Sequence, residues 1–183
     1  MALPNGKDMN KRSDKNLPVV VWLTGLSGAG KTTIAKELVK RFKKKNISVE
    51  FLDGDIIRNI FPQTGFTREE RDRHIKRIGF LAGILEKNGI SVVASFISPY
   101  QEARDFVRNN CKNFFEIYVS TPLEECERRD VKNLYARARA GEIRHFTGID
   151  DPYEVPEKPD LTIDTTGKSV EACVNVIMDK LGI

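Results

Sequence analysis

Residues 22–33 read WLTGLSGAGKTT and place three glycines, then a lysine followed by two threonines, directly behind an apolar run. Residues 18–24 are rich in β-branched side chains, which predicts a strand buried on both faces. After Thr32, apolar side chains recur at the spacing of one helical face, at Ile34, Ala35, Leu38, Val39 and Phe42. Glycine weakens the interior of strands and helices alike, so three of them here indicate a backbone shape that other residues adopt poorly.

The stretch 25–32 matches the pattern G-x-x-x-x-G-K-[ST] of a phosphate-binding P-loop, in the strand–helix context that the motif requires. Glycines let successive N–H groups point at a polyphosphate, and the helix start adds the positive end of its dipole. We expect Lys31 to reach the β- and γ-phosphates and Thr32 to offer its hydroxyl to Mg²⁺. A glycine-rich turn without a ligand is the alternative. The predicted ATP-binding residues are Gly25, Leu26, Ser27, Gly28, Ala29, Gly30, Lys31, Thr32 and Thr33.

The rest of the chain alternates strand and helix. Further strands are predicted at 48–53, 90–97, 113–120 and 161–164. Helices are predicted to begin at the capping box TREE (67–70), at Ser98-Pro99, at Thr121-Pro122 and near Val170. The alternation predicts an α/β fold of the P-loop NTPase class, a five-stranded parallel sheet with helices on both faces. Ligands then bind at the carboxyl ends of the strands.

Residues 131–159 break this alternation. They carry weak periodicity and three prolines, and they follow and include a cluster of basic residues. A connection this long inside one domain is usually functional, so we predict a lid insertion. Residues 1–16 are polar and lack an apolar core, which predicts a disordered tail rather than a secretory signal, and 17–183 are predicted to form the P-loop domain.

Composition excludes several classes of protein. The 183 residues carry a net charge of +4 and are 31% charged and 40% hydrophobic, as expected for one globular domain. No stretch approaches the ~20 apolar residues of a membrane span, and no nucleic-acid recognition motif is present. Three scattered cysteines indicate reduced thiols, so we expect a cytoplasmic protein with neither membrane nor nucleic-acid partners.

Two carboxylates follow the second strand, in Asp53-Gly54-Asp55, with Arg58 three residues on. Beside a P-loop, such a pair can hold Mg²⁺ or take a proton from an attacking hydroxyl. A turn with a helix cap is the simpler alternative. The guanine motif N-K-x-D does not occur in the sequence, which favours adenine and a small kinase.

From Val20 to its end, the chain resembles the adenylyl-sulfate kinases. The resemblance is carried by GLSGAGKTT, DGDIIR, GFTREERDRHIKRIGF, FISPYQEAR, PLEECERRDVKNLYARARAGEIRHFTGIDDPYE and PDLTIDT, of which the fifth is the most specific. It implies transfer of the γ-phosphate of MgATP to the ribose 3′-hydroxyl of adenylyl sulfate, a step of sulfate assimilation. It also implies a homodimer, because members of the family are often dimers.

The resemblance implies roles for individual residues. Phe66 and Phe146 would sandwich the acceptor adenine, and Arg58 and Arg71 would anchor the phosphosulfate. From the acidic pair beside the P-loop and the basic insertion, we expect Asp55 to act as base or as metal ligand together with Thr32, and Asp53 to act through water. The remaining implied residues are Ile97, Ser98, Lys132 and Leu134 on the acceptor side, and Arg128 over the ATP adenine.

Several alternatives stay open. Ser98 is designated a phosphoserine intermediate in some relatives, but its Ser-Pro-x-Gln context also predicts a helix cap that borders an anion. His74 stands where an asparagine is usual, and it is either an acceptor-side residue or an exposed helix residue. Glu70, Lys76 and Asn133 also depart from the family pattern. A related kinase for another nucleotide (such as cytidine diphosphoramidate) or a small metabolite is therefore an alternative, and so is a non-catalytic ATP-binding partner of an ATP sulfurylase.

Overall fold

The computed structural model describes residues 17–61 and 65–183, so the predicted tail at 1–16 lies outside the described residues. Five parallel strands form one sheet in the order β2-β3-β1-β4-β5. This confirms the predicted five-stranded parallel sheet. The strands are β1 Val20–Thr24, β2 Val49–Asp53, β3 Ser91–Ser95, β4 Phe114–Val119 and β5 Leu161–Ile163.

Helices cover both faces of this sheet. Five of them were predicted: α1 Lys31–Lys44, α3 Arg68–Lys87, α4 Gln101–Asn110, α5 Leu123–Arg129 and α7 Val170–Leu181. Two short helices were not: α2 Gly54–Ile60, and α6 Leu134–Arg139 within the predicted lid. Both are about two turns or less, too short for a clear apolar periodicity.

The central strand β1 separates two hydrophobic cores. Its side chains alternate, so that Val21 and Leu23 join the core under α1 and α7, whereas Val20 and Trp22 join the core under α3 and α4. All four are fully buried. This two-sided burial explains why β1 reads as an unbroken apolar run.

Two predicted helix caps are wrong. The helix expected at Ser98-Pro99 begins at Gln101, and the carboxylate of Glu154 accepts the Gln101 N–H at 2.7 Å in place of a local cap. The helix after Thr121 likewise has no side-chain cap, because the Thr121 hydroxyl donates to the Ala29 carbonyl. A residue distant in sequence decides both cases. Glu154 supplies the cap of α4, and the Ala29 carbonyl accepts the hydroxyl of Thr121 that was expected to cap α5. The TREE capping box at the start of α3 is confirmed in both of its hydrogen bonds.

The ends of β1, β2 and β3 set the position of the site. Asp53 at the end of β2 pairs in register with Ser95 at the end of β3, and Leu23 of β1 is the other neighbour of Ser95. The P-loop therefore leaves the sheet beside Asp53 and the residues that follow Ser95.

Within residues 17–61 and 65–183, no helix is long and apolar enough to span a bilayer.

Candidate active site

The P-loop needs glycine at the two positions where its backbone is most constrained. Gly25 has a φ of +147°, and a Cβ there would lie 2.4 Å from the carbonyl oxygen of Val119. Gly30, at the N-cap of α1, has a φ of +97° in the left-handed region that side chains disfavour. With this shape, residues 25–30 form the turn that opens α1.

Lys31 lies in the first turn of α1, almost fully buried, and its Nζ donates 2.7 Å to the carbonyl of Leu26. Burial is the main cause that lowers the pKa of Lys31 to about 8, and the nearby cation of Lys132 adds to it. The ammonium is thus held against the P-loop backbone with little water around it. Such a charge interacts strongly with an anion in the loop.

Hard oxygen groups converge beside the P-loop. The hydroxyl of Thr32 lies 3.1 Å from Asp53 Oδ2 and 3.2 Å from Ser95 Oγ. Oxygen ligands suit Mg²⁺, which usually takes one or two carboxylates and completes its shell with phosphates and water. Among residues 17–61 and 65–183, no group of three His, Cys, Asp or Glu could hold a metal by itself. The residues therefore fit a magnesium ion that is bound together with a polyphosphate.

Asp53 caps a helix, which was the simpler of the two interpretations of Asp53-Gly54-Asp55. Its Oδ1 accepts the N–H groups of Asp55 and Ile56, which begins α2, while its Oδ2 faces Thr32. The side chain of Asp55 is mostly exposed and forms an ion pair with Lys132 of the lid. The structure thus places Asp53 beside Thr32 of the P-loop and leaves Asp55 exposed to solvent.

A cationic and aromatic cluster follows α2. The guanidinium of Arg58 lies 4.6 Å from the ring centre of Phe66, and that of Arg71 lies 5.7 Å from it. Phe66 itself remains 56% exposed. Burial lowers the pKa of Arg58, and the positive charge of Arg71 lowers it further. Two nearby arginines beside an exposed ring are suited to a base that carries a multiply charged anion.

Arg71 joins this cluster to the segment 131–159, the predicted lid. Its Nε donates 2.7 Å to the Phe66 carbonyl, and its terminal nitrogens reach the Thr147 hydroxyl and the His145 carbonyl. The residue between these last two is Phe146, which is buried and lies edge-on against Tyr135, with ring centres 5.0 Å apart. The structure thus brings Phe66 and the Phe146 segment together through Arg71.

The other predicted residues lie around this core of the site. Leu134 begins α6 and is half-buried against the core, and Thr33 is exposed at the start of α1. Ile97 and Ser98 follow β3, where the Ile97 carbonyl accepts the Thr24 hydroxyl. Arg128 is mostly exposed and pairs with Glu125, while its neighbour Arg129 contacts the P-loop carbonyl of Gly28.

A family model described as Adenylylsulphate kinase matches residues 17–164. The chain belongs to the adenylylsulphate kinase family. An adenylyl-sulfate kinase of Picosynechococcus is 54% identical over 164 residues, 89% of this chain and 93% of the relative. The APS kinase of Mycobacterium tuberculosis, solved in complex with AMPPNP and APS, is 40% identical with a TM-score of 0.86 over 91% of this chain and 98% of that one. A hexameric APS kinase from Thiobacillus denitrificans is 33% identical with a TM-score of 0.69, over 92% of this chain and 29% of that one.

His74 departs from the adenylylsulphate kinase pattern and is not the exposed helix residue that was one alternative. It is 2% exposed, and its ring meets the edges of Phe61 and Phe96. Neither ring nitrogen has a hydrogen-bond partner. Burial lowers the pKa of His74 to about 4, and the charges of Arg58 and Arg77 lower it further. His74 is therefore neutral near pH 7.

The other three departures have local explanations. Asn133 stands where the adenylylsulphate kinases usually have glycine, and its φ of +53° lies in the left-handed region that asparagine tolerates. Glu70 completes the capping box of α3. Lys76 forms ion pairs with Asp72 and Glu102. These contacts are within the protein, so none of the three requires a different substrate.

Sequence reasoning missed one group of site residues, which packs against the P-loop from β4 and β5. The hydroxyls of Thr121 and Thr165 both donate to the Ala29 carbonyl, at 3.1 and 3.0 Å. Arg129 in turn donates to the Thr165 hydroxyl at 2.8 Å. The only available signal was the position of threonines just after two predicted strands, at the edge where ligands bind.

Proposed function

We propose that this chain transfers the γ-phosphate of MgATP to the ribose 3′-hydroxyl of adenylyl sulfate. The observation that carries the proposal is the joining of a complete P-loop to an acidic strand end through Thr32 and Asp53. Membership of the adenylylsulphate kinase family supports it. So does the 40% identical relative that was solved with AMPPNP and APS.

In this reaction, the acceptor 3′-oxygen forms a bond to the γ-phosphorus while the bond from that phosphorus to the β,γ-bridging oxygen breaks in line. ADP leaves with the bridging oxygen. The proton of the hydroxyl passes to Asp55, whose exposed carboxylate lies at the opening of the site. Asp55 must first release Lys132, which is then free to face the phosphates.

On the ATP side, residues 25–33 hold the polyphosphate and Lys31 neutralises its β- and γ-oxygens. Thr32 and Asp53 would hold the magnesium ion, directly or through water. Magnesium, when bound, neutralises charge on the phosphates. We also assign Arg128, which is mostly exposed, to the ATP adenine.

On the acceptor side, we assign the exposed Phe66 ring and Phe146 to the adenine. Arg58 and Arg71 are assigned to the phosphosulfate, with Ile97, Ser98, His74 and Leu134 around them. Arg71 already has four protein contacts, so it acts partly by shaping the site. The lid, residues 131–159, would close over both nucleotides and exclude water, which otherwise accepts the phosphate.

Two further proposals concern the setting of the enzyme. A homodimer is supported by the resemblance, since members of the family are often dimers, whereas the solved relatives include a hexamer. A cytoplasmic location is supported by Cys111, Cys126 and Cys173, which are all free and buried.

The test is ADP production with adenylyl sulfate as the sole acceptor, and the 3′-phosphorylated product confirmed by mass. Adenylyl sulfate lacking the 3′-hydroxyl is the matched control and should give no product. Turnover of another nucleotide, such as cytidine diphosphoramidate, at a higher kcat/KM would show that a related acceptor is the substrate. Tight MgATP binding with no turnover of any acceptor would identify a non-catalytic binding protein.

A further inference from the structure

Arg104 of α4 is the most deeply buried cation among the described residues, with its side chain 0% exposed. Its Nε lies 3.1 Å from Glu116 Oε1, an ion pair without the alignment of a hydrogen bond. Burial of a guanidinium costs free energy of folding unless its N–H groups are hydrogen-bonded. The remaining contacts of Arg104 therefore indicate its role.

Those contacts go to irregular backbone near the acceptor side. Nη1 donates 2.7 Å to the carbonyl of Ser98, and Nη2 donates 2.7 Å to the carbonyl of Glu154. Nη2 also lies 2.6 Å from Gln101 Oε1, within the same helix. A single planar fork therefore joins the loop after β3 to residues 153–154, which belong to the lid segment 131–159.

Ser98 is held in an unusual conformation at this junction. Its φ is +40°, in the region that non-glycine residues rarely occupy, and such conformations persist only when the surroundings impose them. The Ser98 hydroxyl donates 2.9 Å to Thr24 Oγ1 and accepts the Trp22 indole N–H at 3.1 Å. The side chain and the carbonyl of Ser98 are thus both fixed.

Tyr153 completes the same junction from the lid. Its hydroxyl lies 2.9 Å from Thr24 Oγ1, which also donates 2.7 Å to the Ile97 carbonyl. The Arg104 guanidinium lies 5.9 Å from the centre of the Tyr153 ring. Backbone closes the junction as well, because the Glu154 N–H donates 2.8 Å to the Pro99 carbonyl.

We propose that Arg104 is a positioning residue for the phosphoryl acceptor: together with Tyr153, it fixes the loop 97–99 against the root of the lid. The inference rests on the proposed function, in which Ile97 and Ser98 border the acceptor. In this proposal Arg104 is assigned to neither nucleotide, because its polar contacts are all within the protein. It acts through the loop that receives the acceptor and through the segment that closes over it.

Arg104→Lys tests this, because lysine keeps a charge against Glu116 but cannot reach the Ser98 and Glu154 carbonyls with a rigid fork. We expect KM for adenylyl sulfate to rise ~10-fold or more and kcat to fall ~10–100-fold, since small misplacements of an acceptor are costly. MgATP affinity without acceptor should stay within about twofold, because the P-loop makes no contact with Arg104.

Arg108→Lys is the matched control. Arg108 also pairs with Glu116, at 3.1 Å, but its other partner is Asp160. The Arg108→Lys variant should leave the KM values for MgATP and adenylyl sulfate and the kcat unchanged. Equal acceptor effects in the two variants would overturn the proposal, because an altered ion pair with Glu116, which the two variants share, would then explain them. An Arg104→Lys enzyme with wild-type kinetics would overturn it too.

Hydrogen exchange separates this proposal from the proposed function. The backbone amides of residues 98, 100, 101, 153 and 154 should exchange faster in Arg104→Lys than in Arg108→Lys. That readout stands even if adenylyl sulfate proves not to be the acceptor, in which case wild type gives no product. If Arg104→Lys fails to fold, Tyr153→Phe decides: a rise of ~3–10-fold in acceptor KM alone supports the proposal, and unchanged kinetics and exchange overturn it.

Discussion

The hydroxyl of Thr32 donates a 3.1 Å hydrogen bond to Oδ2 of Asp53, and this contact joins the first turn of α1 to the end of β2. The other oxygen of the same carboxylate caps α2. One aspartate thus fixes the phosphate side of the site and also directs α2, which carries Asp55 and Arg58, towards the acceptor side.

The charge on Lys31 predicts how ATP use depends on pH. Burial lowers the pKa of Lys31 to about 8, so the free enzyme loses this cation as pH rises through about 8. We expect kcat/KM for ATP to fall roughly tenfold per pH unit above that point, since this parameter reports the free enzyme. Bound phosphate raises the same pKa, so kcat should hold to higher pH. A kcat/KM profile that stays flat to pH 9.5 would contradict the assignment.

Asp55→Asn tests the proposed base. We expect kcat to fall at least ~100-fold, because an amide cannot take the proton of the hydroxyl. The thermal midpoint should barely change, because this side chain is 68% exposed. Lys132→Met is the companion variant: it removes the partner of Asp55 but keeps the carboxylate. A folded Asp55→Asn enzyme with near wild-type kcat would exclude this role.

The burial of His74 predicts that the free energy of unfolding falls in acid. Its pKa is lowered to about 4 in the folded protein against about 6.5 in the unfolded chain, so the unfolded state binds more protons between these values. Stability is therefore fully present above pH 6.5 and falls as pH drops towards 4. We expect the drop in the free energy of unfolding between pH 6.5 and pH 4.5 to be about 1–2 kcal/mol smaller in His74→Asn than in the wild type, as measured by urea unfolding.

The control for this measurement is His145→Asn, which replaces the only other histidine of the sequence. The side chain of His145 is 60% exposed, so its removal should leave the acid sensitivity unchanged. If His74→Asn loses stability in acid as steeply as the wild type does, another group causes the effect.

Ser98→Ala tests whether Ser98 carries phosphate. The hydroxyl is buried and engaged with Thr24 and Trp22, so we expect no label on Ser98 from [γ-³²P]ATP without acceptor. The variant should lose about 1–3 kcal/mol of stability, because the Trp22 N–H is left without its partner. Labelled Ser98 in the wild type, formed at a competent rate, would establish the covalent route instead.

The P-loop and the alternation of elements were predictable because their causes are local or periodic. Gly25 and Gly30 occupy positive-φ positions, and the TREE box satisfies N–H groups within one turn of α3. Each such feature depends on residues close together in the chain, so the pattern can be read without the fold.

The side-chain partners were less predictable because they come from distant segments. Ser98 resembles a helix cap in sequence, yet its hydroxyl bonds to Thr24 and Trp22, more than 70 positions away. Thr121 resembles one as well, and it supports the P-loop at Ala29. The local sequence indicates that a hydroxyl could cap a helix. Its actual hydrogen-bond partner depends on which strands become neighbours in the sheet.

The sequence by itself determined that this chain forms a P-loop on a parallel sheet and belongs with the adenylylsulphate kinases. It also predicted candidate site residues, because backbone conformation, periodicity and motif order are properties of the linear chain, but it missed the support that Thr121 and Thr165 give to the P-loop. Only the tertiary structure decided that His74 is buried and unpaired, that Asp53 rather than Asp55 faces Thr32, and that Arg104 joins the carbonyls of Ser98 and Glu154. Burial and pairing depend on how separate elements pack, and no local pattern carries that information.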